Sequence, residues 1–160
     1  MLGYVTIGAN DLETSGSFYD ALLLPLGYQK ETNDTYLRYS LEGVVDPDNG
    51  PGTIYVMKPF DGGVATPGNG MMPAFRAAEP ETVQALHAAG LAAGGTDEGG
   101  PGTRSYYSDT FYVAYLRDPV GNKVAVFTVL KKESFVELLR SFPGGVDLER
   151  NRSPSRDIDV

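Results

Sequence analysis

The chain is written twice, and that repetition limits what it can fold into. Displaced by 68 positions, Tyr4 to Ala9 falls on Met72 to Ala77, Glu13-Thr14 on Glu81-Thr82, Phe18-Tyr19 on Leu86-His87, and Leu26-Gly27 on Gly94-Gly95. Each copy reads as a short apolar strand, a capped helix and a glycine exit. A chain made of two such units tends to place its site between them, on facing strands, so the residues at those positions decide the chemistry.

In the first copy Met1 to Gly8 suits a strand. Asn10 stands three residues before Glu13, the spacing of a capping box. Phe18, Tyr19, Leu22 and Leu26 follow at helical intervals, and Pro25 with Gly27 ends the helix. Thr35 to Leu41 and Thr53 to Lys58 read as strands, with a weakly marked third near Glu42 to Asp46. The second copy opens with a strand from Met71 or Met72 to Ala77, and Pro80 suits a first helical position. Val83, Leu86, His87 and Leu91 form the expected buried stripe. Thr96 to Arg104 reads as a glycine-rich loop, and Phe111 to Arg117 and Lys123 to Val129 as strands joined by the turn Asp118-Pro119-Val120-Gly121-Asn122. The expected fold class is therefore α+β, with two tandem βαβββ modules (1–60 and 70–130) in one domain spanning 1–130. Residues 131–160 read as an extra helix, opened by Ser134 and Glu137 and closed by Pro143-Gly144-Gly145, followed by a mobile polar tail.

Composition excludes several partners. A net charge of −8 at pH 7 offers no basic patch for nucleic acid or an anionic membrane. No apolar run approaches the ~20 residues needed to span a bilayer, and Met1-Leu2-Gly3-Tyr4-Val5 lacks the basic region of a signal peptide. A cytoplasmic protein is expected. With no cysteine there is no thiolate nucleophile or zinc–thiolate site, and one histidine excludes metal sites built on several imidazoles. All-oxygen coordination by carboxylates remains. The nearest candidate loop, Asp46-Pro47-Asp48-Asn49-Gly50, is more simply a turn.

Tyr4-Val5-Thr6-Ile7-Gly8, Asp11-Leu12-Glu13, Phe18-Tyr19 and Pro25-Leu26-Gly27-Tyr28, in that order, resemble the opening of the glyoxalase/bleomycin resistance protein/dioxygenase superfamily, the vicinal oxygen chelate proteins. Ala74-Phe75-Arg76-Ala77, Gly94-Gly95, Gly100-Pro101-Gly102 with Arg104 and Tyr107, Phe111-Tyr112 and Asp118-Pro119-Val120-Gly121-Asn122-Lys123 resemble its closing half. The resemblance covers residues 1–130. It implies a half-closed barrel, the glyoxalase-like fold, and in enzymatic members one divalent metal held by His, Gln or Glu from the first and last strands of each module. Those positions here are Tyr4, Tyr55, Met72 and Ala125. A phenol, a thioether and a methyl group are poor or impossible ligands for a hard divalent metal. Where relatives carry histidines around the aromatic loop, this chain has Tyr106 and Ser108. No metal and no cofactor is therefore expected, and no catalytic residue is identifiable.

The ligand-binding candidates are Tyr4, Tyr55, Met72, Arg104, Tyr106, Tyr107 and Tyr112. Tyr4 can be a hydrogen-bonding handle or a core aromatic, and Met72 a soft pocket wall. Arg104 and Arg38 can fix a carboxylate or phosphate, or lie solvated at the surface. His87 fits a packed core or interface position better than a catalytic base. Three functions compete: a metal-free small-molecule binding protein, expected first; a lyase, isomerase or dioxygenase with an atypical site, the one reading in which a divalent metal is expected, or else Tyr4 as general acid with a carboxylate base; and a structural subunit. The expected partners are a small-molecule ligand and a second copy of the chain in a homodimer.

Overall fold

The computed structural model describes residues 2–131, so the helix and tail expected from 132 to 160 lie outside the described residues. The β-branched run at the start forms β1 (Tyr4–Gly8). It is followed by α1 (Leu12–Leu23), whose cap is Asp11 and not Asn10. The Asp11 carboxylate accepts from the Glu13 and Thr14 amides, which answers two orphan donors of the first turn. Asn10 is used elsewhere: its amide donates to the Ala65 carbonyl and its Oδ1 accepts from the Ala65 amide, pinning the inter-module segment to the end of β1. Pro25 tightens Leu24–Leu26 into a 3₁₀ turn, and Gly27, at φ 88°, takes the left-handed conformation that releases the chain.

Then come β2 (Tyr28–Thr32), β3 (Tyr36–Leu41) and β4 (Thr53–Met57). The strand expected near Glu42 to Asp46 is a turn region instead. β2 carries no apolar alternation in the sequence, because only Tyr28 packs inward while Gln29, Lys30, Glu31 and Thr32 are exposed. Charges along an edge strand discourage pairing with other chains. The second module repeats the order with β5 (Ala74–Arg76), α2 (Pro80–Ala92), β6 (Thr96–Arg104), β7 (Ser108–Arg117) and β8 (Lys123–Val129). The stretch expected to be a glycine-rich loop is thus the edge strand β6, its register with β7 broken by bulges around Gly99, Gly102 and Arg104.

The strand orders are β1-β4-β3-β2 and β5-β8-β7-β6. In each sheet the first and last strands of the module run parallel and the rest antiparallel. Two identically ordered βαβββ modules of α+β class are what the repeat required, each an open four-stranded sheet.

One core joins the modules. Ile7, Leu37, Tyr39, Ile54 and Val56 from the first sheet and Phe75, Ala114, Leu116, Val124 and Val126 from the second pack around the helix residues Phe18, Tyr19, Leu22, Leu23, Val83 and Leu86. Leu91 is exposed, and Gly90 takes the buried place on α2. A Cβ at Gly90 would stand 2.9 Å from Leu116 Cδ1 and 3.2 Å from Leu22 Cδ2, so glycine permits the two helices and β7 to approach. The Tyr28 and Phe75 rings meet edge to face across the modules at 6.5 Å. The Tyr19 hydroxyl donates 2.7 Å to Asp118 in the β7–β8 turn. Burial, and after it the Asp118 carboxylate, push the Tyr19 phenol well above its ordinary range, so it stays a donor. No helix among the described residues is long and apolar enough to cross a membrane.

Candidate functional site

Strand alternation leaves each sheet a second face, pointing away from the shared core. On the first sheet that face carries Tyr4, Tyr36, Arg38 and Tyr55. The Tyr55 ring packs edge to face with Tyr4 at 5.5 Å and with Tyr36 at 5.2 Å. Its hydroxyl donates to the Asp48 carbonyl at 2.9 Å. Desolvation pushes the Tyr55 phenol up, against the pull of Arg38. Arg38 is held by Glu31 at 2.5 Å and by Asp48, while its Nε is buried without a hydrogen-bond partner among the described residues. Tyr4 is 50% exposed, which rules out the core-aromatic reading.

The outer face of the second sheet is hollow. A cavity of about 490 Å³ is lined by Met72, Ala74, Tyr107, Ser108, Phe111, Tyr115, Ala125 and Phe127. Beside it, a more polar hollow of about 440 Å³ is bounded by residues 67–72, Tyr106, Tyr107, Tyr115, Arg117 and Lys123. The rings of Tyr106, Tyr107, Phe111 and Phe127 form a chain with centroid spacings of 4.3, 6.0 and 5.4 Å. Tyr106 and Tyr107 are 73% and 66% exposed at the tip of the β6–β7 hairpin.

Of the residues singled out from the sequence, Met72, Tyr106 and Tyr107 line these hollows, as does Ala125. Tyr4 and Tyr55 meet each other, yet neither lines the cavity that holds Met72 and Ala125. The four positions expected around one site therefore divide between two faces, because both sheets turn their other faces into the common core.

Two candidates need correction. Tyr112 alternates to the core side of β7, packs against the core and accepts a hydrogen bond from Gln84 Nε2 at 2.9 Å. Arg104 folds back on its own strand, donating to the Gly100 and Thr103 carbonyls, with its guanidinium 5.6 Å from the Tyr115 ring centre. It lines neither hollow. His87 is buried in α2 with Nε2 2.8 Å from Asp97, a packed histidine tied to β6. That hydrogen bond draws the Asp97 carboxyl below its ordinary range.

Phe127, Ala74, Arg117 and Lys123 were not singled out. The signal for two of them was present: Ala125 had been placed on the functional face of β8, and a strand repeats its face every second residue. Lys123 and Phe127 are those neighbours.

The residues around the cavity do not fit a divalent cation. Ala74, Ala125, Phe111 and Phe127 offer no donor atom, Met72 only a soft thioether, Tyr107 and Tyr115 only phenols and Ser108 only a neutral hydroxyl. Among the described residues no three His, Cys, Asp or Glu side chains group as a metal site would. The cavity can instead enclose an apolar body against aromatic and thioether surfaces, with polar groups at one end.

No family model and no curated protein matches the chain. Solved structures do. The chain is 42% identical to a glyoxalase/bleomycin resistance protein from Albidiferax ferrireducens T118, over 80% of this chain and 98% of that one, with a TM-score of 0.67. It shares its fold with a glyoxalase-related enzyme from Fulvimarina pelagi at 22% identity, covering 80% and 87% of the two chains, with a TM-score of 0.61. A glyoxalase/bleomycin resistance protein/dioxygenase family enzyme from Burkholderia phytofirmans PsJN has the same fold at 20% identity, covering 80% and 98%, with a TM-score of 0.58.

Proposed function

The chain belongs to the glyoxalase/bleomycin resistance protein family, and we propose that it is a small-molecule binding protein that works without a resident metal. The observation that carries this reading is the second-module cavity, about 490 Å³ and walled by Met72, Ala74, Phe111, Tyr115 and Phe127. Its size lies within the range of roughly 300–1,000 Å³ usual for ligand pockets, and its apolar walls are of the usual kind. A lyase, isomerase or dioxygenase of glyoxalase type is the competing reading. Its chemistry draws several kcal/mol of transition-state stabilisation from a Lewis acid, and the donors to hold one are missing from this face.

The proposal includes a homodimer. Tyr4, Tyr36 and Tyr55 form an aromatic surface on the first module, and the cavity of the second is open on one side. The first-module face of a second copy is the proposed cover. Neither nucleic acid nor membrane is a partner in this reading, in keeping with the net charge of −8, and the place of action is the cytoplasm.

Metal analysis of the purified protein, after incubation with Zn, Ni, Mn and Fe salts and desalting, is the first test; retention of one equivalent of any of them would sink the metal-free reading. Thermal shift against aromatic small molecules follows. A ligand at ~100 times its Kd adds about 2.7 kcal/mol to the native state. Flat melting curves throughout would favour a structural subunit.

A further inference from the structure

The cavity and the polar hollow beside it share Met72, Tyr107 and Tyr115, so they are two ends of one groove with different chemistry. At the apolar end Ala74, Phe111, Ala125 and Phe127 leave nothing for a polar group to bond. The Ser108 hydroxyl there already pairs with Thr110 at 2.9 Å, and the Tyr107 and Tyr115 phenols belong to the stretch shared with the polar end. A ligand seated in that end has its polar atoms at the other.

The polar end carries Arg117 and Lys123 and no carboxylate in its lining. Glu98, behind them, is occupied by Arg117, which donates from Nε and Nη2 at 2.8 and 2.7 Å. Lys123 stands 3.7 Å from the same carboxylate, beyond a good hydrogen bond, and 4.8 Å from the centre of the Tyr115 ring. One carboxylate thus answers two cations, and the geometry leaves Lys123 the less satisfied. Its three donors are not used up, and its side chain is 34% exposed. The phenol of Tyr115 is pushed up by burial and by its neighbours Tyr106 and Tyr107, and remains a neutral donor at the same place. In a chain of net charge −8, this end of the groove is locally inverted. A cationic head would lie against Lys123 and Arg117, and a neutral head would leave the ammonium only the distant, shared Glu98 carboxylate.

Resting on the reading of this cavity as a ligand site, we propose that the ligand is an aromatic or apolar monocarboxylate, its ring system between Met72 and Phe127 and its carboxylate on Lys123. A single anionic head matches the single under-satisfied ammonium, and the charge-assisted hydrogen bond is of the stronger kind.

Three matched probes test this by titration calorimetry: 2-naphthoate, 2-naphthalenemethanol and 2-naphthylmethylammonium, which share a ring system and differ in the charge of the head. The expected order is naphthoate tightest, by roughly tenfold over the alcohol, with the ammonium weakest. Lys123→Gln should collapse the ratio of alcohol to naphthoate dissociation constants toward one, and Lys123→Arg should keep it. An ammonium probe binding as well as naphthoate would overturn the proposal, as would a preference that survives Lys123→Gln in protein whose circular dichroism and Tm are those of the parent. Equal binding of all three would refute the carboxylate while leaving the cavity reading in place. No binding by any would overturn both.

Discussion

The two modules build the same ladder and end with opposite surfaces. On the outer face of the first sheet Thr6 pairs with Tyr55, which pairs with Arg38. In the second, the same rungs hold Ala74, Ala125 and Tyr115. Where the first module has a phenol ring buttressed by Tyr4 and Tyr36, the second has the methyl group of Ala125 in the wall of the cavity. A duplicated fold thus acquires one solid face and one hollow face, with a large residue exchanged for a small one at the Tyr55 and Ala125 rung, while the core side is repacked as well, Leu37 answering to Ala114 and Tyr39 to Leu116. The same contrast recurs at the turns. Asp46 and Asp118 each precede a proline and each accept backbone amides. Asp46 does so in water, whereas Asp118 is 4% exposed and also receives the Tyr19 hydroxyl.

Replacing each aspartate should separate the turns by the largest margin. Asp118→Ala strands three backbone amides and leaves the buried Tyr19 hydroxyl without its acceptor. The expected cost is about 3 kcal/mol, against roughly 0.5 kcal/mol for Asp46→Ala, whose amides turn to solvent. Urea denaturation of the two variants measures the difference. Equal losses would mean that Asp118 is no more a tie between the modules than Asp46.

The hollow face can be made solid. Ala125→Leu places three further carbons into the cavity at the rung where the first module keeps Tyr55, and should weaken 2-naphthoate binding by roughly tenfold or more, since overpacking a bound ring costs about 1–3 kcal/mol. Because the added carbons occupy empty space, the Tm without ligand should not fall. Unchanged affinity with an unchanged Tm would place the ligand elsewhere.

How much of this could be read from the sequence follows from which residues carry a periodic signal. β1, β4, β7, β8 and both helices were legible because β-branched runs and stripes such as Phe18, Tyr19 and Leu22 point to one core. β2 and β6 were not. The first is a charged edge whose only inward anchor is Tyr28, and the second has Gly99, Gly100, Pro101 and Gly102 in a strand held by its pairing with β7. Local propensity describes those residues as loop, and the ladder overrides it. Strand position brings Met72 and Ala125 to one cavity, but sequence spacing does not say which face of a sheet a neighbouring module will cover. That is why Tyr4 and Tyr55 were expected beside Met72 and lie apart from its cavity. Tyr112 failed for a related reason: in an aromatic run on a strand, alternate rings belong to opposite faces, and composition alone counts them together.

The smallest expected effect separates the charged edges of the two modules. Glu98 on β6 is held below the ordinary carboxylate range, chiefly by the hydrogen bonds from Arg117 and then by the charges of Arg117 and Lys123. A carboxyl depressed in the folded state stabilises the fold above its unfolded value and loses that contribution as pH falls through its folded one. The contribution of Glu98 is therefore complete at pH 7, begins to be lost at about pH 4, and is gone once the pH has fallen through the lower folded-state value. Glu98→Gln should lower the Tm slightly at pH 7 and by less as the pH falls toward 3. Added salt should narrow the difference at pH 7, because the pair is at the surface. In the first module, Glu31→Gln serves as the comparison, since Arg38 there also has Asp48 to hold it. A Glu98→Gln deficit that is undiminished from pH 7 to pH 3 and insensitive to salt would show that the side chain acts by packing and not by charge. Arg117 and Lys123 would then be positioned at the groove by the β7–β8 ladder and not by their shared carboxylate.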